Sequence, residues 1–133
     1  MSSDPHLLPI RIYWEDTDAG GIVYHASYLR FMERGRTELL RVAGVDQGTL
    51  MAESGVTFVV RRMAIDFRMP ARLDDEVVVE TRVSAVGGAS LTLMQAVTRA
   101  GAVLVEAEVS CAVLGRGGRP VRVPPEVRAR LAP

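Results

Sequence analysis

The chain has 133 residues, nearly half of them apolar and a quarter charged, enough for one domain over residues 1–133 to bury a core without disulfides or metal. Sixteen basic and sixteen acidic side chains cancel, so no net charge draws the protein toward nucleic acid or anionic lipid. Every basic residue is arginine, which removes lysine as an amine or Schiff-base catalyst. The lone Cys111 cannot form an internal disulfide and suits a reducing compartment. The opening "MSSDPHLLPI" lacks the basic flank and apolar run of a secretory leader. No stretch approaches the roughly 20 apolar residues of a spanning helix, so the expectation is a soluble cytoplasmic protein.

In chain order, residues 8–14 alternate Ile10, Ile12 and Trp14 against Arg11 and Tyr13, a short strand pattern. The period then changes. Tyr28, Phe31, Met32, Gly35, Leu39, Val42 and Ala43 recur every three or four residues and predict a helix over 25–43, about 28 Å long. Arg34 and Glu38 can pair on its polar side, and Gly44 is a natural stop. Gly35 sits within the apolar stripe, where glycine costs roughly 1 kcal/mol relative to alanine; a sheet passing close to the helix there explains it. Residues 45–55 suggest a short helical turn or loop.

Everything afterwards has period two. Met63, Ile65, Phe67 and Met69 alternate with polar residues until Pro70 ends or interrupts the strand. Further strands are predicted over 75–86, 89–99 and 102–114, the last with Val103, Val105, Ala107, Val109, Cys111 and Val113 on one face. "PPEVRARL" predicts a closing helical turn. One amphipathic helix against an antiparallel meander is a two-layer α+β domain. The outer sheet face carries few charges on some strands, which points to association with a second copy.

The chemistry concentrates in "YWEDTDAGGIVYHASYLRF", Tyr13 to Phe31, where Glu15, Asp16 and Asp18 follow a strand and lead through two glycines into the helix. No G-x-S-x-G or Walker loop is present. His6 and His25 with one cysteine give no zinc spacing, so no metal or cofactor is expected. Cys111, on an apolar strand face, is a buried structural thiol. An acidic turn alone would mean little, since Asp and Gly are ordinary turn residues. Here the segment continues "IVYH", too apolar for a surface loop, into a helix starting near His25 and Ala26. The N–H groups of that start can polarise a carbonyl oxygen, and a carboxylate a few residues earlier can attack the carbonyl or activate water. The junction is a candidate carbonyl-activating site.

With "YWEDTDAGGIVYHASYLRFMERGRTELLR", then "FVVRRMAIDFRMPARLDDEV" and "GGASL", the chain resembles the hotdog-fold acyl-CoA thioesterases of the 4-hydroxybenzoyl-CoA thioesterase family, in its YbgC-like branch. The resemblance covers roughly residues 8 to 125. It implies a hotdog fold, a long central helix wrapped by a curved antiparallel sheet of about five strands. It also implies hydrolysis of acyl-CoA or acyl-carrier-protein thioesters and a homodimer at least, with homotetramers common. Asp18 falls on the family's catalytic aspartate, as general base or nucleophile. The backbone N–H of His25 falls on the oxyanion donor, and its side chain on a histidine that this branch carries. Trp14 stands where the family often has tyrosine. Asp16 is expected to support the turn and helix, and Tyr24 and Tyr28 to form pocket wall and core. Arg62, with Arg61, is a candidate for CoA phosphates, set against a solvated strand face, and Ser90 for contact with substrate or pantetheine. Three other readings stand beside hydrolysis: a hotdog hydratase acting on enoyl or hydroxyacyl thioesters, for which His25 and Glu33 are awkwardly spaced, a non-catalytic acyl-CoA-binding protein, and, from the resemblance alone, an interaction partner in cell-envelope maintenance.

Overall fold

The structure is a computed structural model that describes residues 4–133. The first three residues, which open the single domain expected over residues 1–133, lie outside the described residues. The order of elements is β1 (His6–Arg11), α1 (Ser27–Val42), α2 (Gln47–Ser54), β2 (Thr57–Phe67), β3 (Glu76–Val86), β4 (Ser90–Arg99), β5 (Ala102–Leu114) and α3 (Pro125–Leu131). Among the described residues no helix is long and apolar enough to cross a membrane.

Five antiparallel strands form one sheet in the order β1-β3-β4-β5-β2. The run β3-β4-β5 is the expected meander, but β2 is not its first member. It crosses to the far edge and pairs with β5, Phe67 opposite Val105 and Thr57 opposite Leu114. Alternation decides which face a residue takes, not which strand lies beside it.

The core lies between α1 and the inner sheet face. Phe31, Met32 and Tyr28 from the helix meet Val77, Val79, Leu93, Val97, Val105 and Val109 from the strands, all buried. Odd positions of β5 are buried from Val105 to Val113, as alternation predicts. Helix α1 packs on β3, β1 and β4. Gly35 is the point of closest approach: a Cβ there would lie 2.7 Å from both Thr81 Oγ1 and Val79 Cγ1, well inside ordinary contact, so the expected reason for this glycine holds.

Two local expectations change. Glu38 pairs with Arg41 at 3.3 Å, not with Arg34. Strand β1 stops at Arg11, and Trp14 begins a 3-10 turn, Trp14–Asp16. Ile10 and Ile12 are buried as their alternation requires, but Trp14 is 78% exposed. The cause is local: Asp16 Oδ2 accepts the Tyr13 N–H at 2.8 Å and Asp16 N–H donates to Tyr13 O at 3.0 Å, closing a turn that ends the strand.

Candidate active site

From Thr17 the chain makes a tight hairpin. Thr17 bridges to Val23, Asp18 N–H donates to Ile22 O at 2.9 Å, and Gly21 N–H donates to Asp18 O at 3.0 Å. Gly21 has a φ of +80°, a backbone position suited to glycine. The Asp18 carboxylate turns over the loop and accepts the Gly20 N–H through Oδ1 at 2.8 Å. That bond leaves Oδ2 and the remaining lone pairs of an exposed carboxylate facing outward.

Asp16 differs from Asp18 in every respect. It is 6% exposed, holds Tyr13 N–H, and stands 4.0 Å from Arg30 on the first turn of α1. Its carbonyl accepts both Tyr24 N–H at 2.9 Å and Ser27 Oγ–H at 3.2 Å. Asp16 therefore supports the turn and the helix entry, in line with expectation.

The regular helix begins at Ser27, two residues later than the spacing suggests. Tight turns precede it: Ser27 N–H donates to Tyr24 O at 2.8 Å and Tyr28 N–H to His25 O at 3.3 Å. Tyr24 N–H is taken by Asp16. The His25 and Ala26 amides have no acceptor among the described residues, which is the usual state of a helix entry. Both Tyr24 and His25 are exposed, their ring centroids 4.6 Å apart. The His25 ring meets Phe67, at the end of β2, edge-on at 6.2 Å. The Asp18 hairpin thus leads through Val23 into the mouth of α1, where the Tyr24 and His25 rings are exposed.

A strap over residues 70–75 holds this surface, and nothing in the sequence pattern singled it out. Val23 N–H donates to Ala71 O at 2.9 Å, Ile22 bridges to Arg72, and Ala71 N–H donates to the Tyr28 hydroxyl at 3.0 Å. Burial pushes the Tyr28 phenol up, against the Ala71 N–H and nearby Arg99, which act to lower it. The phenol is a neutral core group, as expected. Arg99 clamps the strap with bonds to Asp75 Oδ2 at 2.7 Å and Pro70 O at 3.2 Å. At Asp75 partial burial acts to raise the carboxyl. The Arg72 N–H and the Arg99 hydrogen bond and charge outweigh it and hold the group below its ordinary range. Ala71, fully buried, is the pivot; no spacing rule marks an alanine for that role.

Ser90 and Arg62 are not brought to this surface within one chain. Ser90 lies in register with Ala112 and Val59, Arg62 with Ser110, and Phe67 with Val105. At roughly 3.3 Å per residue the Ser90 row is about 23 Å from Phe67 along β5, and the Arg62 row about 17 Å. Arg62 also points to the outer sheet face, since Ser110 is an even, outward position of β5.

An antiparallel sheet laid around one long helix, with a carboxylate hairpin at the helix mouth, defines the hotdog class, and solved hotdog-type proteins match it closely. A probable thioesterase from Bartonella henselae is 39% identical with a TM-score of 0.86, over 90% of this chain and 99% of that one. A thioesterase from Thermus thermophilus, solved in complex with coenzyme A and Zn, is 30% identical with a TM-score of 0.84, over 98% of this chain and 94% of that one. Among curated proteins, the acyl-CoA thioesterase YbgC of Haemophilus influenzae is 49% identical over 123 residues, 91% of this chain and 90% of that protein. The Thioesterase-like superfamily profile matches residues 12–131. The chain belongs to the thioesterase-like superfamily.

Proposed function

We propose that the protein hydrolyses acyl-CoA thioesters to free acid and CoA, at the surface shared by Asp18 and the mouth of α1. The reaction class is supported by the acyl-CoA thioesterases named YbgC, half identical to this chain over most of its length. The residues are supported by one observation above all: a carboxylate on a rigid hairpin lies a few residues before amides left without acceptors.

The His25 N–H donates to the thioester carbonyl oxygen and to the oxyanion that follows, where one such donor is typically worth about 2.7–4 kcal/mol. Asp18 takes a proton from water as the oxygen attacks the carbonyl carbon, or attacks that carbon itself to give a mixed anhydride that water then opens. In either case the C–S bond breaks with its electron pair on sulfur, and a proton restores the thiol. The His25 ring, beside Tyr24 and Phe67, orients water or the leaving thiolate. Tyr24 forms pocket wall. Hydrolysis of an acyl-carrier-protein thioester would use the same atoms.

The working unit is a homodimer or a tetramer built from it. Strand β2 is a sheet edge that exposes Val59, Val60 and Phe67, and an open edge of that composition needs a cover. Antiparallel pairing of two copies of β2 would carry the Ser90 end of one protomer to the His25 end of the other, completing a site that one chain leaves half built.

Purified protein assayed with a panel of acyl-CoAs and a free-thiol reporter tests the assignment. Asp18→Asn and Asp18→Ala should each lower kcat by about 100-fold or more with circular dichroism unchanged. Wild-type rates in both would remove Asp18 from the mechanism. His25→Ala should lower kcat less, because its backbone donor remains. In a single turnover in ¹⁸O-water, label found in Asp18 establishes the nucleophilic route, since it arises only when water opens the anhydride at the Asp18 carboxyl carbon.

A further inference from the structure

Half-way along α1, a cavity of about 330 Å³ opens between the helix, β2 and the inner sheet face. Its polar wall is Arg36, Glu33, Thr37 and Gln47; Phe58, Leu91 and Cys111 are among its apolar wall. A chain of hydrogen bonds holds Arg36 there. Its Nη1–H donates to Gln95 Oε1 at 3.0 Å, and the Gln95 amide is pinned in turn by bonds from Nε2 to Met32 O and Thr81 Oγ1, both at 2.9 Å. Gln95 and Thr81 are buried, and Gly35 is what lets the helix come down onto them. Arg36 has five N–H donors, of which this network uses one, and no carboxylate lies within 4.0 Å of it among the described residues. Burial acts on the guanidinium to lower its pKa, with Cys111 and Glu33 acting the other way. Burial pushes the Cys111 thiol up, so at neutral pH no thiolate competes for Arg36.

Between His25 and this cavity runs the inner face of β2, with Phe67, Ile65 and Met63 on it, only part buried or exposed. Helix α1 meets β2 at the Tyr28 ring, 5.9 Å from Phe67, and beyond it the apolar side chains of Ile65 and Met63 continue along β2 toward the Arg36 side. The Arg36 guanidinium lies on Gln95, which is in register with Ala107, two rows along β5 from Val105 and Phe67, about 7 Å.

Resting on the thioesterase reading above, we infer that Arg36 receives the far end of the acyl group, and that the preferred substrates are medium-chain acyl-CoAs whose tail ends in a carboxylate. A carboxylate there accepts charge-assisted bonds from the unused guanidinium edges, while a methyl end leaves them unpaired. Glu33, on the same wall but exposed, opposes an anion and limits the preference.

The experiment measures kcat/KM for suberyl-CoA and octanoyl-CoA, which share a chain length and differ only in the tail. Wild-type enzyme should favour suberyl-CoA about tenfold or more. Arg36→Met should bring the ratio to about one, Arg36→Lys should restore part of it, and Glu33→Gln should raise it. Succinyl-CoA, too short to reach, should gain nothing over butyryl-CoA. A wild-type enzyme that prefers octanoyl-CoA, or a ratio unmoved by both Arg36→Met and Glu33→Gln, overturns the inference and leaves the hydrolase reading standing. Should Arg36→Met fail to fold, the wild-type ratio and Glu33→Gln still decide. No turnover of any acyl-CoA overturns both.

Discussion

Two polar regions flank the first half of α1, and they are built in opposite ways. The hairpin at Asp18 is exposed and held by its own backbone, with Thr17, Asp18, Gly21 and Val23 bonded main chain to main chain. The cluster under Gly35 is buried and held by side chains, through Gln95, Thr81 and Arg36. An exposed carboxylate that takes a single loop N–H, from Gly20, is carried there at little cost. Buried polar groups have no such freedom: each must find its partner or cost stability. Substitution at the first region should therefore spare stability, whereas substitution at the second should lower it.

That contrast can be broken or sharpened by substitution. The largest separation is expected from the Asp18 variants described above, which lose activity about 100-fold or more and keep their melting temperature; a matching loss of stability would erase the contrast. Gly35→Val should do the reverse. Its side chain meets Thr81 and Val79, overpacking of this kind costs about 3 kcal/mol, and Tm should fall by about 10 °C while kcat per folded molecule changes little. Tyr28→Phe tests the link between the regions. It leaves the buried Ala71 N–H without its acceptor, at about 2 kcal/mol, and loosens the strap that holds Val23, so stability and kcat should fall together.

The smallest effect is expected at the strap's outer clamp. The Asp75 carboxyl is held below its ordinary range in the folded protein, so it contributes stability that is present above the unfolded value near 4 and is lost as pH falls through the lower folded value. Asp75→Asn should cost about 1 kcal/mol at pH 7 and flatten the acid limb of Tm against pH below about 4. An acid limb as steep as wild type would show that other carboxylates carry it.

Much of this was legible beforehand, for identifiable reasons. The apolar stripe of α1, the alternation of β5 and the close approach at Gly35 are local patterns imposed by periods of 3.6 and two, and by the volume of one missing methyl; β2 ends at Phe67, short of the expected Met69. Trp14 was misplaced because a single carboxylate, Asp16, turned the chain one step before the alternation ran out. The position of β2 beside β5 was not legible, since a strand's face is written in its own residues while its neighbour is chosen by the whole sheet. Ala71 and Gln95 were invisible for a related reason: an alanine carbonyl and a glutamine amide acquire their roles only from what folds against them.

The sequence alone determined the elements, the face each presents to the core, and the placing of a carboxylate just before a helix entry, because these depend on residues a few positions apart. Only the tertiary structure decided that residues 70–75 strap the hairpin, that Arg36 looks into a cavity with most of its donors unused, and that the Ser90 end lies far from His25 within one chain. Those are contacts between segments distant in sequence, set by how the sheet closes over the helix.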